Sequence, residues 1–275
     1  MDILISGAST GIGRATAVHL ARLGMKVWAG VRSDSAFESL RKMNVRGIEP
    51  LILDVTDPKS VRAAVSRIKK SSGMLNGLVN NAGIVVAGPI ECLPIEEWRR
   101  QFEVNFFGLV DLTRECLPLL RESKGRVVNM SSISGRVASP FLSPYSASKF
   151  ALEAYSDSLR REMQPLGVKV SIVEPGPIDT PIWRKSSAGN FEKAKEYPPE
   201  ITEVYGKAVD KFIKEMEKAE LSAAPVILVC KAVEHALNAR SPRTRYPVGR
   251  GIGIASVMAG VLPDKWMDGM LNKRS

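Results

Sequence analysis

The sequence predicts an α/β protein built on a doubly wound parallel sheet of about seven strands with helices on both faces. Three observations carry that expectation. Short β-rich runs alternate with helical stretches along most of the chain. The strand runs are almost continuously apolar, as strands covered on both faces must be. The first strand empties into a glycine-rich turn that leads directly into an amphipathic helix, and right-handed crossovers then wind such units into one sheet.

The strand candidates, in order, are "ILIS" (3–6), "KVWAGV" (26–31), "IEPLILD" (48–54), "GLVN" (77–80), "RVVNMS" (126–131), "KVSIVEP" (169–175) and "RYPV" (245–248). Helical patterns fall between them at about 12–23, 35–43, 58–71, 95–121, 146–164 and 222–239. No internal repeat or low-complexity segment interrupts the series, and no linker precedes residue 180, so all 275 residues are expected to form one domain. After Thr180 the chain leaves the sheet pattern for a charged insertion, about 181–221. There Val204, Ala208, Val209, Phe212, Ile213 and Met216 recur at helical spacing. This segment is expected to lid the site. The apolar, methionine-rich stretch at about 251–272, "GIGIASVMAGVLPDKWMDGML" and the residue after it, is expected to form its rear wall, with core or dimer packing as the alternative.

Composition narrows the function classes. Hydrophobic residues make up 44% of the chain, enough for a packed core. Cys92, Cys116 and Cys230 lie far apart and form no CxxC, which predicts neither a disulfide framework nor a zinc site and fits a reducing, cytoplasmic setting. The chain enters a strand pattern at Ile3 without a basic leader, so no secretory signal is expected. No apolar run approaches the ~20 residues that span a bilayer. A net charge of +10 invites a nucleic-acid reading, but the basic residues are interleaved with acids and follow no recognition motif, so no nucleic-acid partner is expected. His19 and His235 are the two histidines, each isolated in a helical pattern, and no metal site is expected.

Gly7, Gly11 and Gly13 form G-x-x-x-G-x-G after the first strand. Glycines there permit a tight turn and close backbone approach, so a pyrophosphate can sit on the helix N-terminus. The Walker pattern is absent, which argues against a nucleotide triphosphatase. Asp54 ends the third strand run, where ligands of such sheets bind, and is expected to accept a hydrogen bond from an adenine amino group. Capping of the following helix falls to Asp57. "NNAG" (80–83) closes the fourth strand, and "SPYSASKFAL" (143–152) sets Tyr145 and Lys149 one helical turn apart.

With the glycine turn, "NNAG", "VNMSS", "YSASK" and "EPGPIDT" in this order, residues 1 to 180 resemble the short-chain dehydrogenase/reductase family, a Rossmann-type fold, and its hydroxysteroid and retinol dehydrogenase-like members. The resemblance implies an oxidoreductase that interconverts an alcohol and a ketone or aldehyde with a nicotinamide cofactor. It implies catalytic roles for Asn105, Ser132, Tyr145 and Lys149. Tyr145 would exchange a proton with the substrate oxygen, and Ser132 would orient that oxygen. Lys149 would hold the nicotinamide ribose, and Asn105 would hold a water in the proton relay. The chemistry suits the pair, since a phenol titrates near ~10 and a neighbouring ammonium favours its ionised form. The resemblance further implies that Gly7, Ser9, Thr10, Gly11, Ile12 and Gly13 cradle the cofactor. Asp54, Val55 and Asn81 would meet it from the sheet edge, and Tyr145, Lys149, Pro175, Gly176, Ile178 and Thr180 would meet its nicotinamide end.

Two positions depart from the family pattern. Ser6 stands where threonine is usual, keeping a hydroxyl, and Thr10 stands where many NADP-preferring relatives carry arginine or lysine. The second strand ends with Val31 in place of the acid of NAD-preferring relatives. Arg32 follows, and a guanidinium suits a 2′-phosphate in charge and geometry. NADP(H) is therefore the expected cofactor, with NAD(H) the lesser alternative, and Ser33 is expected to add a hydroxyl. The apolar lid points to a bulky hydrophobic substrate such as a steroid, a retinoid or a long acyl chain. The family's habit of pairing long helices implies a homo-oligomer, dimer or tetramer, through 95–121 and 146–164. Trp266 and flanking basic residues give the tail the character of a membrane-surface contact without a spanning anchor. The rival class is a catalytically weak cofactor sensor. Its mark would be loss of the serine, tyrosine or lysine, and all three are present.

Overall fold

The computed structural model describes residues 1–180 and 199–272, with side chains described as far as residue 269. Seven strands form one sheet: β1 (Asp2–Ile5), β2 (Lys26–Val31), β3 (Ile48–Ile52), β4 (Gly77–Asn80), β5 (Arg126–Met130), β6 (Lys169–Pro175) and β7 (Arg245–Val248). Their order is β3-β2-β1-β4-β5-β6-β7, and each neighbouring pair is parallel. The winding reverses between β1 and β4, which leaves a crevice at the carboxyl ends of those strands, the place where such sheets bind ligands.

The helices that cover the sheet are α1 (Gly11–Arg22), α2 (Asp34–Lys42), α3 (Pro58–Ser72), α4 (Ile95–Phe102), α5 (Gly108–Glu122), α6 (Ser143–Met163) and α8 (Val226–Asn238), with α7 (Pro199–Leu221) between the last two. Two more, α9 (Ile252–Val261) and α10 (Asp264–Asn272), follow β7. One apolar layer joins β1 and β2 to α1 and α8 through Ile5, Leu20, Val27, Val233 and Leu237. The opposite layer joins the sheet to α3, α5 and α6 through Leu4, Ile68, Leu78, Leu112 and Leu159. The central strands are therefore sealed on both faces, which explains their unbroken apolar runs, while the edge strand β3 stays open at Glu49 and Ile52.

Several boundaries differ from the sequence expectation. The pattern at 95–121 is not one helix: a π-helical turn, Glu103–Phe107, separates α4 from α5. Gly108 follows it with its Cα so close to Val55 that an added Cβ would lie 2.5 Å from the Val55 carbonyl oxygen. α6 begins at Ser143 rather than 146, with Pro144 in its first turn, where a missing N–H costs no hydrogen bond. α8 begins at Val226, after Pro225. Of the expected lid, 181–198 lies outside the described residues, and 199–221 is α7. Its apolar face is turned relative to the expected stripe. Val209 is buried and Phe212, Ile213 and Met216 are partly covered, whereas Val204 and Ala208 are exposed. Tyr205, four residues before Val209, takes the place assigned to Val204.

A chain of buried amides and hydroxyls crosses the second layer. Asn80 Nδ2 donates to Thr113 Oγ1 and to Asn129 Oδ1, both at 2.9 Å, and Asn129 Nδ2 donates to Ser156 Oγ at 2.8 Å. This chain ties β4 and β5 to α5 and α6 from beneath. Replacing Asn129 with alanine strands buried partners on both sides. The expected cost is about 2 kcal/mol, seen as a lower urea midpoint with an unchanged slope.

Candidate active site

A cavity of about 350 Å³ opens at the β1/β4 switch point and runs from the glycine turn to Tyr145. The turn itself follows from its glycines. Gly7 and Gly11 have φ of 66° and 56°, a region that side chains disfavour. Gly13 faces inward, where an added Cβ would lie 2.3 Å from the Gly7 carbonyl oxygen. The Asn81 side chain fastens this turn to the neighbouring strand: its Nδ2 donates to the carbonyls of Ser6 and Gly7, each at 3.0 Å. Ser6 Oγ completes the clamp by accepting from the backbone N–H groups of Asn81 and Ala82. The hydroxyl expected at Ser6 thus braces the turn. α1 starts beyond it with no side chain capping its first N–H groups and no acid in its first turn, a disposition suited to an anion.

The wall of the cavity contains nearly all the residues singled out in the sequence: Gly7, Ser9, Thr10, Gly11, Ile12, Arg32, Asp54, Val55, Asn81, Asn105, Ser132, Tyr145, Lys149, Pro175, Gly176, Ile178 and Thr180. Gly13 is set back from the wall, permitting the approach of helix to turn. Ser33 is also absent from the wall. Its hydroxyl caps α2 by accepting from Ala36 N at 3.3 Å. Asp54 Oδ1 accepts from both the backbone N–H and the hydroxyl of Thr56, while Asp57 caps α3 as expected by accepting from Lys59 N at 2.9 Å.

At the far end, Lys149 follows Tyr145 by one turn of α6, and its ammonium stands 5.7 Å from the centre of the Tyr145 ring. Lys149 Nζ donates to the Met130 carbonyl at 2.7 Å. Ser132 caps a short turn at the end of β5 through Ser134 N, and its hydroxyl hydrogen-bonds Tyr145. Burial pushes the Tyr145 phenol above its ordinary value, against the pull of that Ser132 hydrogen bond. Burial also lowers the Lys149 ammonium to about 8, against the attraction of Glu153 one turn further on. The resting pair is a protonated phenol beside a readily titrated amine. Ser131 also lines the cavity, and its hydroxyl lies against Gly135.

Asn105 lies in the π-helical turn, a feature that recurs at functional sites. Its Oδ1 accepts from Ile84 N at 2.9 Å and its Nδ2 donates to Ile84 O at 3.0 Å, so the amide grips the loop after β4. Gln101 does the same one turn earlier, accepting from Val86 N and donating to Ile84 O. The sequence reading missed Gln101. The signal was available: two amides four residues apart on a helix are placed to hold one backbone segment. That segment supplies Val85 and Ala87, which pack with Leu142, Tyr145 and Phe212 from α7 into an apolar mouth. The rings of Phe141 and Phe212 lie 5.4 Å apart beside it. The rear of the site is less extensive than expected. Ile252 of α9 presses on Gly176, while Ile254, Val257 and Val261 are exposed, so α9 is not a core helix. Among the described residues, no group of three or more His, Cys, Asp or Glu is placed to hold a metal, and no helix is long and apolar enough to cross a membrane.

Residues 2–190 match the family model described as short chain dehydrogenase. Retinol dehydrogenase 5 of Mus musculus is 39% identical over 98% of this chain and 87% of its own. 17-beta-hydroxysteroid dehydrogenase type 6 of Bos taurus is 40% identical over the same shares. NADPH-dependent 3-dehydrocapnine reductase of Ornithobacterium rhinotracheale is 38% identical over 98% of this chain and 95% of its own. Among solved structures, a short-chain dehydrogenase from Streptomyces avermitilis superposes with a TM-score of 0.79 at 28% identity, covering 99% of this chain and 97% of that one.

A buried ammonium costs stability as long as it stays charged. With the folded-state value at about 8 and the ordinary one at 10.5, that cost is present below pH 8 and is relieved as pH rises to 10.5. Lys149→Met should therefore be the more stable protein at pH 7, by about 1–2 kcal/mol after allowance for lost hydrogen bonding. Its advantage should shrink above pH 8. Urea titrations at pH 7 and pH 10 check both signs.

Proposed function

The chain belongs to the short-chain dehydrogenase family, and from that premise we propose that it is an NADP(H)-preferring oxidoreductase for a bulky apolar alcohol and its ketone or aldehyde. The observation that carries the reading is the joining of Ser132, Tyr145 and Lys149 at one end of a cavity whose other end is the glycine turn. The fit to a dinucleotide rests on the turn, with positive φ at Gly7 and Gly11 and an uncapped α1 N-terminus, and on Arg32 in the cavity wall. When bound, the nicotinamide cofactor supplies or accepts hydride.

The chain's own residues then do the following. The Ser132 hydroxyl, already bonded to Tyr145, orients the substrate oxygen. Tyr145, held as a phenol by burial, donates its proton to a ketone oxygen in reduction and takes it back in oxidation. The Lys149 ammonium favours the phenolate formed in that exchange and holds the ribose. Asn105 keeps the loop at Ile84 in place, and the family resemblance assigns it a water in the proton relay. The apolar mouth formed by Val85, Ala87, Leu142 and Phe212 favours a large hydrophobic substrate. The names of the retinol and hydroxysteroid dehydrogenase relatives support that class.

We extend the proposal to the protein's surroundings. Phe107 and Phe150, exposed on α5-side and α6 surfaces, support pairing of two copies through these helices. Ile254, Val257, Val261 and Trp266 (69% exposed), near Lys265, support contact of the α9–α10 face with a membrane surface. Buried, unpaired Cys116 and Cys230 support a cytoplasmic location.

Turnover of a size series of ketones with NADPH tests the reaction and the substrate class together. The expected result is a kcat/KM that rises with apolar bulk and is lost in Tyr145→Phe, while cofactor binding persists. Equal or better use of small hydrophilic carbonyls removes the apolar-substrate reading. Retention of more than about 1% of the rate in Tyr145→Phe removes the proton-transfer role. Cofactor choice has its own check: Arg32→Ala should weaken NADPH binding about tenfold or more and leave NADH nearly unchanged. Equal losses would contradict it.

A further inference from the structure

Behind the catalytic pair lies a buried charged cluster that the reaction described above does not use. Glu153 follows Lys149 by one turn of α6, and Glu174 is the residue before Pro175 on β6. They are 5% and 1% exposed, beside a Lys149 that is itself 6% exposed. Arg245, on β7, reaches both carboxylates: its Nε lies 3.1 Å from Glu153 Oε2 and 3.4 Å from Glu174 Oε1. Its other end pairs with Asp157 at 3.0 Å, and Asp157 also meets Arg160 at 3.2 Å. Arg136, from the turn after β5, stands 3.7 Å from Glu174 Oε1.

Two observations bear on the protonation of this cluster. First, Glu153 Oε1 and Glu174 Oε1 are both fully buried, and no hydrogen-bond donor reaches either in proper geometry. An ionised carboxylate can only accept, so both oxygens are left unsatisfied while both groups are charged, and the Glu174 carboxyl lies within hydrogen-bonding reach of Glu153. One proton between them satisfies both. Second, two carboxylates that share the Nε of one arginine repel one another, and like charges at such range do not both ionise readily. Burial first, and then the neighbouring Glu153, push the Glu174 carboxyl up to about 7, against Arg136 and Arg245.

We propose that Glu153 and Glu174 share one proton on the acid side of neutrality and together supply the negative charge that keeps the buried Lys149 ammonium ionised, making both of them positioning residues for the reaction. The kinetic part rests on the proposed role of Lys149; the proton and the charge do not. Glu153 faces Lys149 along the helix, and its attraction opposes the loss of the ammonium's proton on burial. Glu174 holds the proton, and Arg245 fixes both carboxylates in register with α6. Gly135 makes the close packing feasible, since an added Cβ there would lie 2.8 Å from Ser131 Oγ and 3.1 Å from both Glu153 Cγ and the Lys149 carbonyl oxygen.

Three measurements on the full-length protein decide the matter. Infrared difference spectra between wild type and Glu174→Gln at pH 6 should show the carbonyl band of a protonated carboxylic acid in wild type, fading as pH passes about 7. Absence of that band overturns the shared proton. NMR of isotope-labelled lysine, assigned with Lys149→Met, follows a Lys149 midpoint of about 8, where the shared proton has already left and both carboxylates are charged. The midpoint should therefore fall in Glu153→Gln, and it should fall furthest, by about one pH unit, in the double variant. An unmoved midpoint in Glu153→Gln or in the double variant overturns the positioning role. In alcohol oxidation with NADP⁺, the ascending limb of the kcat/KM–pH profile should move to higher pH in the double variant, further than in either single variant. Loss of all turnover in wild type would remove the functional reading, and the two spectroscopic arms would still decide the proposal. If the double variant does not fold, thermal melting of the single variants serves instead. A carboxyl raised from 4.5 to about 7 adds stability at low pH and loses it as pH climbs through that window. That slope should be present in wild type and absent in Glu174→Gln. An equal slope in both overturns the shared proton.

Discussion

Asn81 stands where the sheet divides. β1 and β4 run side by side, and beyond their last paired residues the chain turns one way at Gly7 and the other at Ala82. With one amide group bonded to the carbonyls of Ser6 and Gly7, and its own N–H bonded to Ser6 Oγ, Asn81 keeps these departing segments at a fixed separation. Each of those bonds is worth only about 1 kcal/mol net, but the groups they satisfy are costly to leave unpaired. The position of the α1 N-terminus, the shape of the glycine turn and the width of the crevice all follow from this clamp. The clash of any Cβ at Gly13 with both Gly7 and Asn81 shows how little space it leaves.

The opposite end of the crevice shows the strain that chemistry imposes on folding. A lysine, a tyrosine and two glutamates are buried within two turns of α6 and the adjoining strand. Apolar residues there would pack at lower cost, since buried ionisable groups lose hydration that their partners restore in part. The fold offsets this with Arg245 and Arg136 on one side and the Asn80–Asn129–Ser156 chain on the other, so the polar interior is largely paired.

Much of this was legible in the sequence because the physical rules involved are local. Four strand ranges, 26–31, 77–80, 169–175 and 245–248, coincide with the observed bounds, since apolar β-branched runs between breakers leave little choice of register. The Tyr145–Lys149 spacing gave their common face directly, as the α-helix has one period. What escaped depended on residues distant in sequence. The π-helical turn at 103–107 is invisible to a 3.6-residue pattern, and Gln101 draws its meaning from Ile84 and Val86. On α7 the apolar spacing predicted a stripe, but Val204 and Tyr205 both fit it; which one turns inward is set by packing partners on other elements.

The contact between Ile252 and Gly176 ties the outermost part of the molecule to its innermost. Gly176 has no side chain to yield, and an added Cβ there would sit 2.4 Å from Ile252 Cδ1, so the helix rests directly on backbone. On its outer side α9 presents Ile254, Val257 and Val261 to the exterior. Any side chain at position 176 would push this helix off the end of β6, so the glycine that keeps the nicotinamide end of the crevice clear also lets α9 settle against it.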